Sequence, residues 1–456
     1  MTVPGSGGDD RVNGRQSDEL SATNQPEFSP GWIWAQLKGR VSLVHDMVAV
    51  YGIHFANQAL PLITVPYLSR VLGPAEWGLV AMAQSFALYG NLVVDYGFAY
   101  SATREIAQST TKTEVEKIIA GVSGAKIILG VLALLAAWLA YWVVPLFHRH
   151  PVLLWTATIS EVIKAFLPVY YFYGIKRVSL ASMLDISARI VAATGIFLFV
   201  HRPEDAWKIF ALTGVTSMVI FLVGHGMMFT RHTPGWPRIR GGIKMLREGW
   251  AMFLFRSAHS IYSLGNAFIL GLFAAPQVVG YYAGAEKINT AAVGLLAPFT
   301  VVLYPRAATL AKDSLSKAAR VTTISMYIIG ALSIGLTLIM WFGAGLIIPI
   351  ILGHGFAQSE GVLKILSVRT PMIAWTNVLG FQWLLVLGLE RQFQKITLAA
   401  LILNTLLATV LAPRFSYDGM AWAVVTSQLV AALGIYMVLQ RRGLNPFRMR
   451  SDEAYA

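Results

Sequence analysis

The sequence predicts an all-α integral membrane protein of about twelve transmembrane helices, arranged as two pseudo-symmetric six-helix lobes around a central cavity. Three observations predict it. The 456 residues are 56% hydrophobic and only 13% charged, with a mean hydropathy of +0.59, which lies outside the composition of soluble domains. Apolar runs of spanning length, about 20 residues for a helix, recur with short interruptions from Val41 to Gln440. The chain also matches itself at a shift of about 200 residues. Segments of alternating polarity, which a membrane β-barrel needs, are absent, and no connection is long enough for a soluble domain.

The elements follow in order. Residues 1–31 are polar, rich in Gly, Ser, Asn and Asp, and lack a short apolar core with a cleavage site; they predict a disordered cytoplasmic tail. In 32–43, the stretch WIWAQLKGR joins aromatics to Lys38 and Arg40, the pattern of an interfacial helix. The N-terminal six-helix lobe occupies 44–230, with spans near 44–68, 78–103, 118–146, 151–173, 179–200 and 206–229. A basic cytoplasmic linker, 231–249, leads to the C-terminal six-helix lobe, 250–440. Its spans lie near 250–274, 278–305, 321–350, 362–388, 394–413 and 418–440, and 441–456 form a cytoplasmic tail.

Charge placement orients the bundle. With the N-terminus inside, the cytoplasmic connections receive most of the basic residues, among them Arg104, Lys176, Arg177, Arg231, Lys244, Arg306 and Arg391. The outer connections receive Arg70, Arg149, Arg202 and Arg414. This asymmetry puts both termini in the cytoplasm. The net charge of +13 is therefore a topology signal favourable to anionic lipids and not a nucleic-acid footprint. With no cysteine there is neither a disulfide framework nor thiol chemistry.

The internal match lays LGPAEWGLVAMAQS, 72–85, over AAPQVVGYYAGAEK, 274–287, without a gap. Pro74 meets Pro276 and Gly78 meets Gly280, and the same shift sets Arg104 on Arg306 and His54 on Arg256. Two six-span halves in one orientation, related by an axis along the membrane normal, commonly enclose a site that opens alternately to each side.

An intramembrane charge costs about 2.5 to 3.5 kcal/mol on insertion scales, so each needs a partner, an exit or a purpose. Glu161 with Lys164, Asp185 with Arg189 and Glu360 with Lys364 are spaced to pair on one helix face, and Lys126 has a stem long enough to reach the interface. Arg256 has Met252, Phe253, His259 and Ser260 at helical spacing, none of which neutralises it. Asp95 and Arg369 likewise lack a local partner. The plain reading is that Arg256 and Asp95 bind each other or that Arg256 snorkels. The functional reading offers Arg256 to an anionic substrate in a wet cavity, with Arg369 as a further candidate and Arg104 and Arg306 at the cytoplasmic entrance. Tyr89, Asn91, Tyr262 and Asn266 are candidate sugar contacts, although such residues also pack ordinary helix interfaces. Asp95, Glu286, His259 and His54 are candidates for coupling to a cation. His148 and His150, in an outer loop, make only a weak metal motif without further ligands. Hydrolytic and nucleotide-binding motifs are absent, so a transporter is expected and neither enzyme chemistry nor a cofactor is.

NQALPLITVPYLSRVLGPAEWG, DYGFAYSATREIA, AFILGLFAAPQVVGYYAGAEKI and TNVLGFQWLLVLGLERQF resemble segments of Wzx-type O-antigen and exopolysaccharide flippases. These belong to the multidrug/oligosaccharidyl-lipid/polysaccharide exporter superfamily. The resemblance covers all the expected spans. It implies a MATE-like two-lobed bundle in the bacterial inner membrane that moves undecaprenyl-diphosphate-linked oligosaccharides to the periplasmic leaflet. It further implies a cationic cavity with Arg256 of FLFR in it, a coupling proton or sodium ion, and work alongside a polysaccharide polymerase and a chain-length regulator. PVYYFYGIKRV departs from the pattern, with Tyr171, Tyr173 and Lys176 in place of a tryptophan-containing segment ending in glutamine-glycine. The alternatives are a multidrug exporter of the same superfamily, for which an arginine in the cavity is unsuited, a membrane-embedded polymerase or transferase, for which the outer connections are short, and a non-transporting scaffold.

Overall fold

The computed structural model describes residues 30–233, 235–296, 304, 307–312, 314–447 and 449; for 30–59, 61, 62, 251, 252 and 254–264 it describes the backbone alone. The expected tail, 1–29, and Arg306 lie outside the described residues. The chain divides into two compact units, Met1–Tyr51 and Gly52–Ala456. Of the first, the described part is helical backbone. All that follows concerns the second.

Among the described residues there are helices and turns and no strands. In chain order the helices are α1 (Pro30–Asp95), α2 (Phe98–Gln108), α3 (Lys112–Val143), α4 (Pro145–Arg149), α5 (Pro151–Ala165), α6 (Val169–Gly174), α7 (Val178–Phe199) and α8 (Ala206–Phe229). Then come α9 (Ile239–Leu264), α10 (Asn266–Gly271), α11 (Pro276–Gly294), α12 (Leu315–Ile351), α13 (Ser359–Ser367), α14 (Arg369–Trp375), a π-helical stretch (Thr376–Leu384) and α15 (Glu390–Arg441). Among the described residues, seven helical segments are individually long and apolar enough to cross a membrane. The α3 helix presents Val131, Leu132, Leu135, Trp138, Leu139 and Trp142 outward, an apolar stripe that water would penalise and lipid accepts. The molecule is a multi-pass membrane protein.

Two of the long helices turn back within themselves. At Gly73, φ is +69°, so α1 bends where the first predicted span gives way to the second. A Cβ at Gly73 would meet nothing, so the glycine serves the left-handed conformation and not a close approach. Ser416, at φ +57° and ψ −135°, breaks α15 between the last two predicted spans, three residues after Pro413. The predicted linker, in contrast, is largely helix. The α9 helix begins at Ile239, because small residues let it lie directly on α3: a Cβ on Gly124 would come 2.5 Å from the Arg238 carbonyl oxygen, and one on Gly242 2.5 Å from the Ala125 nitrogen. Arg238 N–H donates to the Ala120 carbonyl at 3.1 Å.

The core is shared at one end of the bundle and divided at the other. Around the Gly73 end, one apolar cluster joins Met82, Phe147, Val200 and Phe210 of the first half of the chain to Tyr282, Leu352, Phe356 and Val424 of the second. At the far end, one cluster gathers Tyr96, Phe98, Ile119 and Tyr171, and a separate one gathers Ala318, Trp383, Leu389 and Leu439. Connections sort the same way. Glu76, His150 and Glu204 interact electrostatically at the Gly73 end, and Glu105, Glu248 and Lys244 at the other.

Candidate functional site

A cavity of about 260 Å3 lies between α1, α5, α7 and α8, with one side chain, Lys287, entering from α11. The helical spacing read from the sequence places two ion pairs on its wall. Lys164 Nζ lies 3.4 Å from Glu161 Oε1, and Arg189 Nε 2.8 Å from Asp185 Oδ2. The Glu161 side chain is only 6% exposed, and its Oε2 is buried without a hydrogen-bond partner among the described residues. Both pairs had a merely structural reading in the sequence; the fold turns them into the cavity lining. Lys287 donates to Gln84 Oε1 at 3.2 Å, and the Glu286 carboxylate lies within electrostatic reach of it. On the lining itself three cations face two carboxylates, with Glu286 set behind Lys287, and this surface balance suits an anion.

Adjacent residues on a helix diverge, and Glu286 accordingly faces away from Lys287. Its Oε1 accepts from Asn266 Nδ2 at 3.2 Å and from the Tyr282 hydroxyl at 3.0 Å. The network continues: Asn404 Nδ2 donates to Asn266 Oδ1 at 3.0 Å, and the Ser427 hydroxyl to Asn404 Oδ1 at 3.3 Å. Asn266, Asn404, Ser427 and Tyr282 are all buried. A carboxylate oxygen is thus linked to two amides and two hydroxyls on α10, α11 and both arms of α15. Asn266 takes its place here, in the C-terminal core, and not on the cavity wall where a sugar contact was expected.

Arg369 is buried, and its Nε donates to Asn289 Oδ1 at 2.7 Å. Asn289 Nδ2 in turn donates to the Thr370 hydroxyl at 3.1 Å. This guanidinium is sealed against a neutral amide between α11 and α14 and does not line the cavity. Asn91 Nδ2 donates to the Glu161 backbone carbonyl at 2.9 Å, tying α1 to α5. Tyr89 presses on the backbone at the α9–α10 junction: a Cβ on Gly265 would fall 1.4 Å from its hydroxyl. That contact requires a glycine where the seventh predicted span breaks.

Asp95 closes α1, and beyond it Tyr96 and Gly97 take φ of +47° and +78° before α2 begins. Tyr96 stacks on Phe253 with ring centroids 4.4 Å apart, and its hydroxyl donates to the Leu246 carbonyl at 3.0 Å. Lys126 lies within electrostatic reach of Asp95, so the carboxylate has a cationic neighbour that helical spacing did not offer. Lys126 itself does not reach the interface. It is buried, donates to the Ala165 carbonyl at 2.6 Å and sits 5.1 Å from the Tyr170 ring centroid.

Arg104 is exposed on α2 beside Glu105 and Glu248. Burial first, then the Glu248 carboxylate, raise the Glu105 pKa above its ordinary value of 4.5, against the opposing pull of Arg104 and Lys244. At the Gly73 end, burial likewise raises that of Glu76, with His150 opposing. Arg256, His259 and Tyr262 have helical backbone in α9, and His54 in α1; their side chains lie outside the described residues. The sequence reading missed Lys287 and Gln84 as a pair across the halves. The signal available was the repeat itself, which brings 72–85 and 274–287 into register.

Residues 43–311 match the family described as Polysaccharide biosynthesis protein. A protein of Escherichia coli (strain K12) named "Putative O-antigen transporter" is 29% identical over 406 residues, which are 88% of this chain and 97% of the relative. The inward-facing conformation of a multidrug resistance MATE family transporter of the MOP superfamily superposes with a TM-score of 0.67 at 14% identity, covering 87% of this chain and 96% of that one. The lipid II flippase MurJ in its inward closed conformation also gives 0.67 at 14% identity, covering 89% and 90%. The architecture above is the fold these structures share.

Proposed function

Because the chain belongs to the polysaccharide biosynthesis protein family, we propose that it is a flippase for undecaprenyl-diphosphate-linked oligosaccharide repeat units of O-antigen or exopolysaccharide. It carries them from the cytoplasmic to the periplasmic leaflet of a bacterial inner membrane, with both termini in the cytoplasm. The twelve spans form two six-helix lobes. The observation that carries this reading is the arrangement of the core: one cluster welds the lobes at the Gly73 end, whereas two distinct clusters fill the other end, where Tyr96 and Phe253 make contact between the lobes, and Lys287 of one lobe faces the cavity wall of the other. With the basic connections inside, the welded end is periplasmic and the molecule is poised to load from the cytoplasm.

A diphosphate and polar sugars do not cross hydrocarbon, whereas a polyprenyl tail prefers to stay in it. The protein therefore needs to shelter only the head. Arg104 and Arg306 gather the anion at the entrance, Arg256 guides it inward, and Lys287 with Arg189 and Lys164 holds it in the cavity. Return of the empty transporter is biased by a proton or sodium ion at Glu286, whose hydrogen-bonded neighbours suit a charge that comes and goes. Moving one charge through the potential supplies about 2.3 kcal/mol per 100 mV.

The test is export in a strain lacking its own flippase. Lys287→Ala should lower surface polysaccharide at least about tenfold and leave lipid-linked repeat units facing the cytoplasm, whereas Lys287→Arg should keep most of the export. Normal export by Lys287→Ala, at unchanged protein level, removes the cavity from the transport path.

A further inference from the structure

A second basic recess lies apart from the cavity described above, between α6, the start of α7 and the end of α8. It measures about 390 Å3, and Phe172, Ile175, Leu180 and Val223 give it apolar walls. Its exposed rim carries two guanidiniums, Arg177 from the α6–α7 connection and Arg231 from just beyond α8. Neither makes an ion pair among the described residues. Glu116, the carboxylate beside His232, is engaged elsewhere: it accepts from Thr233 N–H at 2.9 Å and lies 3.9 Å from Lys112.

The buried floor has a polar group with nothing to bind. Tyr171 is fully buried and lines the recess, yet its hydroxyl has no hydrogen-bond partner among the described residues. Both arginines lie within electrostatic reach of that hydroxyl. The ring of His232 meets Tyr171 edge-on at 5.5 Å, and its buried Nδ1 is unpartnered too. Buried hydroxyls are ordinarily satisfied, so an unmade bond beside two free guanidiniums marks the place of an absent acceptor. The local backbone is built to hold this geometry. Lys176 adopts φ +59°, and Arg177 N–H donates to the Phe172 carbonyl at 2.8 Å, which folds the connection tightly and sets Arg177 over the recess.

We propose that this recess binds the phosphate of an anionic glycerophospholipid, with the two arginines and the Tyr171 hydroxyl as donors and an acyl chain along the apolar wall. Its position fits a leaflet lipid: both arginines sit where predicted spans end, at headgroup depth, and an acyl chain suits walls that a free anion would leave empty. The assignment does not depend on what the protein transports.

The full-length protein, stripped of lipid in detergent, should bind phosphatidylglycerol in preference to phosphatidylcholine by native mass spectrometry. Arg177→Gln and Arg231→Gln should each weaken that binding about fivefold. Tyr171→Phe, which keeps the ring packing, should weaken it too, whereas Arg391→Gln, an exposed arginine on another helix, should not. The proposal is overturned if the arginine double variant and Tyr171→Phe both retain wild-type binding. It is equally overturned if millimolar inorganic phosphate displaces phosphatidylglycerol, or if undecaprenyl diphosphate does so at lower concentration, since either would name a different occupant.

Discussion

Gly78 and Gly280 are in reciprocal contact across the two halves of the chain. A Cβ on Gly78 would lie 1.8 Å from the Pro276 carbonyl oxygen, and one on Gly280 1.9 Å from that of Pro74. Each glycine therefore faces the proline that begins the other's segment, as a two-fold axis between equivalent helices demands. Any side chain here pushes backbone against backbone. Gly78→Ala and Gly280→Ala are each expected to destabilise by about 1–3 kcal/mol and to impair export. Gly90→Ala, where the added carbon would sit 3.7 Å from Ala133 Cβ, serves as the control. Thermal unfolding in detergent measures the difference, and equal midpoints for all three variants would contradict the tight contact.

Arg256 is expected to be needed for transport and dispensable for insertion. Arg256→Ala should abolish polysaccharide export at normal protein level, and Arg256→Lys should retain part of it, because a point charge replaces a planar fork. Wild-type export by the alanine variant would exclude a binding role.

The Glu286 network should separate coupling from binding. Glu286→Gln keeps an acceptor for Asn266 and Tyr282 but removes the charge. It is expected to make export insensitive to collapse of the proton or sodium gradient while lowering its rate. Asn404→Ala, which strips Asn266 of a donor at a buried position, should instead destabilise the fold by about 1–3 kcal/mol. Export measured with ionophores distinguishes the two.

Acid should tighten the packing of α2 on α9. The folded pKa of Glu105 is raised by burial and then by Glu248. A raised carboxylate contributes stability that is fully present below its unfolded value, near 4.5, and that is lost as pH rises through the folded value. Glu105→Gln should therefore flatten the rise in thermal midpoint seen on acidification from neutral pH towards that value. An unchanged profile in the variant would assign the dependence to another group.

The pairs on single helices were legible in the sequence, because helical periodicity alone decides whether Glu161 meets Lys164 or Asp185 meets Arg189. The sequence did not say that these pairs share one cavity, since that depends on how α5 and α7 are rotated against α1 and α8. Lys126 shows the limit from the other side. Its reach to the interface was a matter of stem length, but its actual partner, the Ala165 carbonyl, is 39 residues away. Arg369 is similar: its isolation along the chain was visible, whereas Asn289, which binds it, belongs to another helix.

By itself the sequence determined that the chain lives in a membrane, and it offered a repeat and an orientation as expectations, because hydropathy, periodicity and composition are local properties. Only the tertiary structure decided that Lys287, not Arg369, faces the cavity and that Glu286 turns into a hydrogen-bonded core. It also decided that a single core joins the halves at the Gly73 end while two distinct clusters fill the far end. These outcomes depend on helix rotation and crossing, which are set by close backbone contacts such as Gly78 with Gly280, and such contacts join residues that no local pattern relates.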